Sequence, residues 1–171
     1  SLGLVGSEMC IRDSTITSDW LPNSPGAVVS AGCGDNAGGG LGLGIGHGDV
    51  VVSVGTSGTV FAHSPHPIAD PTGVTSGFAD ATGAYLPLLC TLNAARVMAR
   101  TSDLLGTDLD EFDALAAAGD PDCSGLTLLP YLDGERTPNL PDAAGRWHGV
   151  TGASLTRENM ARSSVLSVAN S

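Results

Sequence analysis

A chain of 171 residues is long enough for one domain with a real core, and 42% hydrophobic against 15% charged residues describes a globular rather than a disordered chain. Eighteen acidic and seven basic residues leave a formal net charge of −11 with no lysine, which excludes a nucleic-acid surface built on clustered cations. Any anionic ligand must therefore be held by backbone N–H groups, hydroxyls, a metal ion or one of the arginines.

Residues 1–14, which do not begin with methionine, match nothing that follows and read as a non-native, adapter-derived tail; 15–24 form a polar, turn-rich lead-in. Pro25-Gly26 is a turn, and Ala27 to Ala31 reads as a short buried strand. Asp35 follows where a strand ends and a helix can begin. Asp and Asn are good helix N-caps, and the helix terminus favours an ionised carboxylate there. Gly38-Gly39-Gly40 weaken this helix, each by about 0.5–1 kcal/mol relative to alanine.

Asp49 to Val54 and Thr59 to Ala62 read as a β-hairpin around Gly55-Thr56-Ser57-Gly58. Residues 64–75 are a Pro-rich loop. Thr91 to Leu105 carries Leu92, Ala95, Met98, Leu104 and Leu105 near helical spacing and stops at Gly106. Asp108 with Glu111 resembles a capping box for a helix ending at Gly119. Leu126 to Leu132 is an apolar strand, Asp133 to Gly145 a long loop, and Thr156 opens a last helix. Helices and strands alternate irregularly, as in an α/β domain with a mixed sheet.

Two short stretches carry chemistry. Gly34-Asp35-Asn36 places a carboxylate and an amide in a small-residue turn. Gly55-Thr56-Ser57-Gly58 can aim N–H groups and hydroxyls at a phosphate, and Gly55 allows either an unusual backbone geometry or a close phosphate approach. Alone, the first is ordinary turn chemistry and the second an ordinary hairpin connection. Together they suggest phosphoryl transfer to a hydroxyl. Cys10, Cys33, Cys90 and Cys123 have neither a C-x-x-C pair nor zinc spacing, and read as reduced thiols of a cytoplasmic protein. His63 and His66 lie among prolines that no helix can align for a metal. No apolar run approaches the ~20 residues of a membrane helix, and no signal peptide is indicated.

The motifs A-G-C-G-D-N-A at 31–37, D-V-V-V-S-V-G-T-S-G-T-V-F at 49–61, G-F-A-D-A-T-G at 77–83, C-T-L-N-A-A-R-V at 90–97 and L-P-Y-L-D-G-E-R-T-P-N-L-P at 129–141 resemble the FGGY carbohydrate kinases. The resemblance implies an actin-like, ribonuclease-H-like ATPase domain. Residues 25–166 would be part of the C-terminal domain, with 167–171 unmatched and a separate N-terminal kinase domain as partner. It implies transfer of a phosphoryl group from ATP, with Mg²⁺, to D-xylulose. Gluconate, ribulose or glycerol are the alternative acceptors, and a non-catalytic sugar- or phosphate-binding module is the alternative role.

By the same resemblance Asp35 is the general base, Asp35 and Asn36 contact the sugar, and Gly55, Thr56 and Ser57 hold the ATP phosphates. Asn93 falls where some relatives place a small residue near adenine. Gly134-Glu135-Arg136-Thr137-Pro138 is a family hallmark, read either as functional or as a structural loop with a local ion pair. The resemblance allows a homodimer of the intact protein. The D-x-G-T phosphate loop and the Gly-rich adenosine segment of the family are not in this sequence, so the chain by itself is expected to be inactive.

Overall fold

A computed structural model describes residues 32–171, together with the backbone pairing of β1 (Ser14–Thr15) and β2 (Val28–Val29), which is antiparallel. The strand expected over Ala27 to Ala31 contains β2; its other residues, like most of 1–24 and the Pro25-Gly26 turn, lie outside the described residues. The chain forms two compact units. One holds the described residues up to Val51 with Val60–Leu89; the other holds Val52–Thr59 and Cys90–Ser171.

The strands β3 (Val50–Val54), β4 (Gly58–Ala62), β5 (Ser76–Ala79) and β6 (Tyr85–Thr91) form a sheet in the order β3-β4-β6-β5. The expected strands on either side of Gly55–Ser57 are present and adjacent. β5 and β6, which the sequence reading left unassigned, pair antiparallel with Phe78 opposite Leu86. Leu86 and Leu88 are buried two residues apart on β6, the period of a half-buried strand, and join Phe61 and Ala37 in the first unit's core. Val50, Val52 and Val54 on β3 are exposed. The isolated bridges His47–His63 and Leu132–Gly134 pair parallel.

Helix α1 (Asp35–Leu43) forms despite its glycines, with one correction: Gly34 is the N-cap and Asp35 the first helical residue. The Asp35 carboxylate accepts from the Asn36 N–H at 2.8 Å instead of capping.

In the second unit, α2 (Ala95–Leu105) begins four residues later than expected and ends at Gly106, whose φ of 66° is the left-handed cap that glycine adopts without cost. Val97, Thr101 and Ser102 form its buried stripe, while Leu104 points to solvent. Asp108 caps α3 (Leu109–Ala118) by accepting from the Glu111 N–H at 2.9 Å. The Glu111 side chain does not complete the box; it accepts from Arg157 at 3.0 Å.

The expected strand from Leu126 to Leu132 shortens to β7 (Thr127–Leu129), because Pro130 has no N–H to continue a ladder. Its partner β8 (Arg146–His148) emerges from the long loop, with Leu128 opposite Trp147. Thr156 caps α4 (Arg157–Ala169), which packs on α3, α2 and β7. The buried face of α4 is small and polar. Ser163, Ser164 and Ser167 return their hydroxyls to the carbonyls of Met160, Ala161 and Ser164 at 3.1, 2.7 and 2.7 Å, so no buried hydroxyl among them lacks a partner. No helix among the described residues is long and apolar enough to cross a membrane.

The glycines of α1 are not equivalent. A β-carbon on Gly39 meets nothing within 4 Å, whereas one on Gly40 lies 3.0 Å from Ile45 Cδ1. Gly39→Ala should therefore stabilise the protein by about 0.5–1 kcal/mol. Gly40→Ala should give no gain or a loss, and urea titration of the two variants separates these outcomes.

Candidate functional site

In the first unit, Asp35 and Asn36 sit together on the first turn of α1. They line a small cavity with Gly34, Ala37, Phe78, Ala79, Leu86 and Leu88. Asp35 is exposed and Asn36 half-buried. The cavity thus has an apolar floor from β5 and β6 and a carboxylate and an amide at its rim, a combination suited to an uncharged polar ligand.

Sequence reasoning missed the role of Asp80, inside the G-F-A-D-A-T-G motif. It is buried at the turn between β5 and β6. Its carboxylate accepts from the Thr82 N–H at 2.8 Å, the Thr82 hydroxyl at 2.6 Å and the Ala84 N–H at 2.7 Å, with His63 Nε2 3.5 Å away. Burial pushes the Asp80 carboxyl up, but the bonds from Thr82 and Ala84 and the nearby His63 outweigh it and hold the group below its ordinary value. Asp-x-Thr in a turn was the available signal.

In the second unit, Gly55, Thr56 and Ser57 form the exposed connection from β3 to β4. The Gly55 N–H donates to the Ser57 carbonyl at 3.0 Å, and the Gly55 carbonyl accepts from the Ala95 N–H, at the start of α2, at 2.9 Å. The N–H groups and hydroxyls of Thr56 and Ser57 have no partner among the described residues. Gly55 itself does not adopt a left-handed conformation, so no such backbone requirement explains the glycine there. Gly58 is the sterically constrained glycine, since a β-carbon there would stand 2.5 Å from Thr91 Oγ1.

Thr56 lines an open cleft with Arg96, Arg100, Leu132 and Asp133. Arg96 pairs with Asp133, and Arg100 with Asp103 at 3.4 Å. In a chain without lysine, this is where free backbone donors and guanidinium groups meet. The set fits the phosphates of a nucleotide. No group of three or more His, Cys, Asp or Glu side chains converges among the described residues.

The Gly134–Pro138 loop is structural in a way the expected ion pair does not describe. Glu135 is 1% exposed. Its carboxylate accepts from the Leu92 N–H at 2.6 Å, the Asn93 N–H at 3.3 Å, Asn93 Nδ2 at 2.9 Å and its neighbour's N–H, that of Arg136, at 2.7 Å. Asn93, fully buried, also donates to the Gly134 carbonyl at 2.7 Å and accepts from the Leu132 N–H at 3.3 Å. Its amide is thus committed to the protein interior and not to an adenine. The late start of α2 has a different cause: Thr91 still belongs to β6, and Ala94, with φ −138° and ψ −118°, is not helical.

Comparison with known proteins agrees with this architecture. Residues 50–171 match the FGGY family of carbohydrate kinases, C-terminal domain. The chain is 52% identical over 130 residues to the xylulose kinases of Streptomyces rubiginosus and Streptomyces coelicolor, covering 76% of this chain and 25% of each of those proteins. It therefore spans about a quarter of the length of the curated relatives it matches. The crystal structure of xylulose kinase from Bifidobacterium adolescentis superposes with a TM-score of 0.74 at 50% identity, over 85% of this chain and 29% of that one. The α/β architecture is thus that of the FGGY sugar kinases, with their actin-like, ribonuclease-H-like ATPase fold.

Burial pushes the Glu135 carboxyl up as well, yet the N–H donors of Leu92, Asn93 and Arg136 bring it below its ordinary value. Such a group stabilises the fold fully above the unfolded-state pKa, and that contribution disappears as pH falls through the lower folded value. Glu135→Gln replaces one acceptor oxygen by a donor facing donors and should cost about 1–3 kcal/mol at pH 7. The gap to the unsubstituted protein should narrow as pH drops below about 4.3, the ordinary glutamate value. Urea titrations of both proteins at pH 7, 5 and 4 test this, and a gap constant across that range would contradict it.

Proposed function

Because the chain belongs to the FGGY family of carbohydrate kinases through its C-terminal domain, we propose that it is the part of an ATP-dependent sugar kinase that supplies the general base and one side of the phosphate site. The acceptor we propose is D-xylulose, the reading supported by relatives named xylulose kinase at 52% identity. Residues 25–166 act as part of the C-terminal domain of a longer enzyme. A partner N-terminal domain supplies the remaining phosphate loop, a division supported by relatives about four times as long as the matched region.

In this reading Asp35 accepts the proton of the attacking sugar hydroxyl. A sugar hydroxyl is a poor nucleophile, and a carboxylate in hydrogen-bond reach assists it. Exposed on the first turn of α1, Asp35 is free of the capping bond that would occupy its oxygens elsewhere, apart from the local bond with the Asn36 N–H. Asn36 donates and accepts at once, as hydroxyl recognition requires. The observation that carries the phosphate assignment is the exposed turn at Gly55–Ser57, where the N–H groups and hydroxyls of Thr56 and Ser57 have no partner among the described residues and Thr56 lines a cleft with Arg96 and Arg100. ATP brings the transferable phosphoryl group, and Mg²⁺ neutralises its charge when bound. The described residues of this chain hold the nucleotide by N–H and hydroxyl donors.

In the full-length enzyme, Asp35→Ala should lower turnover about 10²–10⁴-fold, the range for a general base, with KM for ATP little changed. Near-normal turnover would remove Asp35 from the mechanism. Gly55→Val should weaken ATP binding in calorimetry while sugar binding stays measurable, because its side chain obstructs close phosphate approach. Assays on D-xylulose, gluconate, ribulose and glycerol test the acceptor, and preference for any of the last three would replace D-xylulose.

A further inference from the structure

Phosphate-binding turns work only when their N–H groups are held in one orientation, since preorganised donors cost nothing to arrange at the moment of binding. The Gly55–Ser57 turn is exposed and short, and makes only one internal hydrogen bond. Its order must come from what grips it.

Both of its ends are gripped by one neighbouring segment, Thr91–Ala95. At the entry, the Gly55 carbonyl accepts from the Ala95 N–H at 2.9 Å. At the exit, Gly58 lies against Thr91 so closely that an added β-carbon would stand 2.5 Å from Thr91 Oγ1. Between these two contacts lie Leu92, Asn93 and Ala94, which belong to no helix or strand. The backbone N–H groups of Leu92 and Asn93 both end on the buried carboxylate of Glu135, and the Asn93 side chain ends on the same carboxylate and on the Gly134 carbonyl. A second tie joins the same two stretches where Asp133 pairs with Arg96, on the first turn of α2.

We propose that Glu135 is a positioning residue for the Gly55–Ser57 turn, acting through Thr91–Ala95. The carboxylate touches no substrate. It fixes the segment whose Thr91 and Ala95 clasp the turn, and so fixes the direction of the Thr56 and Ser57 donors. The consequence for nucleotide binding rests on the kinase reading above; the positioning itself does not.

Hydrogen exchange and kinetics on the full-length enzyme test the two separately. Glu135→Gln should raise amide exchange in peptides covering 52–60 and 90–97 at least tenfold more than in peptides covering α3 and α4. A general loss of stability would raise all of them together. Should the glutamine variant not fold, Glu135→Asp, which keeps the charge but shortens its reach, should give the same selective pattern. A uniform increase, or none in 52–60, overturns the proposal. With selective exchange established, KM for ATP should rise tenfold or more while KM for the sugar stays within twofold. Selective exchange with an unchanged KM for ATP leaves the positioning role standing and removes the turn from the nucleotide site.

Discussion

The Glu135 carboxylate is the constraint on which the second unit depends. A carboxylate taken out of water without compensation costs several kcal/mol, so it persists only where donors replace the lost hydration. The chain has no lysine, and among the described residues no arginine does this for Glu135. Three backbone N–H groups and one side-chain amide do, from two stretches about forty positions apart in sequence. Because those donors must converge on one group, the loop and the approach to α2 can pack in only one way.

Asp80 applies the same solution in the first unit, on a local scale. It closes the turn between β5 and β6 with donors from Thr82 and Ala84. A strongly acidic chain with no lysine has few counter-charges to bury, and both carboxylates rely mainly on neutral N–H and O–H donors instead. Such bonds are directional and fix geometry more tightly than a mobile ion pair. The α4 interface follows the same logic. Asn159 holds the Asp120 N–H at 3.0 Å and the Ser154 carbonyl at 3.3 Å, and serine hydroxyls return to their own helix. Scarce aromatics are offset by close packing of small residues with satisfied polar groups.

This interior also bears on how an acidic chain can handle an anionic ligand. The net charge of −11 opposes a polyphosphate at long range. At the proposed phosphate site the counterweight is local: an exposed turn whose Thr56 and Ser57 N–H groups have no partner among the described residues, with Thr56 beside two guanidinium groups. Arg96 is itself held by Asp133, from the loop that carries Glu135. The proposed phosphate site and the internal order therefore draw on the same residues.

What the sequence determined by itself was local or family-wide. Asp108 and Thr156 were legible as caps because capping is decided within four residues. Gly106 marked the end of α2 for the same reason, and the order of five motifs identified the family. The two chemical stretches, each ordinary turn chemistry alone, were visible through their order and close spacing. Tertiary structure alone decided the rest. Nothing in the local sequence of Thr91–Ala94 forbids a helix; β6 continues through Thr91 in the sheet, and Ala94 takes a non-helical conformation before α2 begins. The spacing that made Leu104 a core candidate could not show that α2 would turn Val97, Thr101 and Ser102 inward instead. β8, just past the loop expected over Asp133 to Gly145, had no assignment because its pairing with β7 depends on a partner strand and not on its own composition. Glu135 looked like half of a local ion pair, because adjacency in sequence says nothing about which distant donors will surround a buried charge.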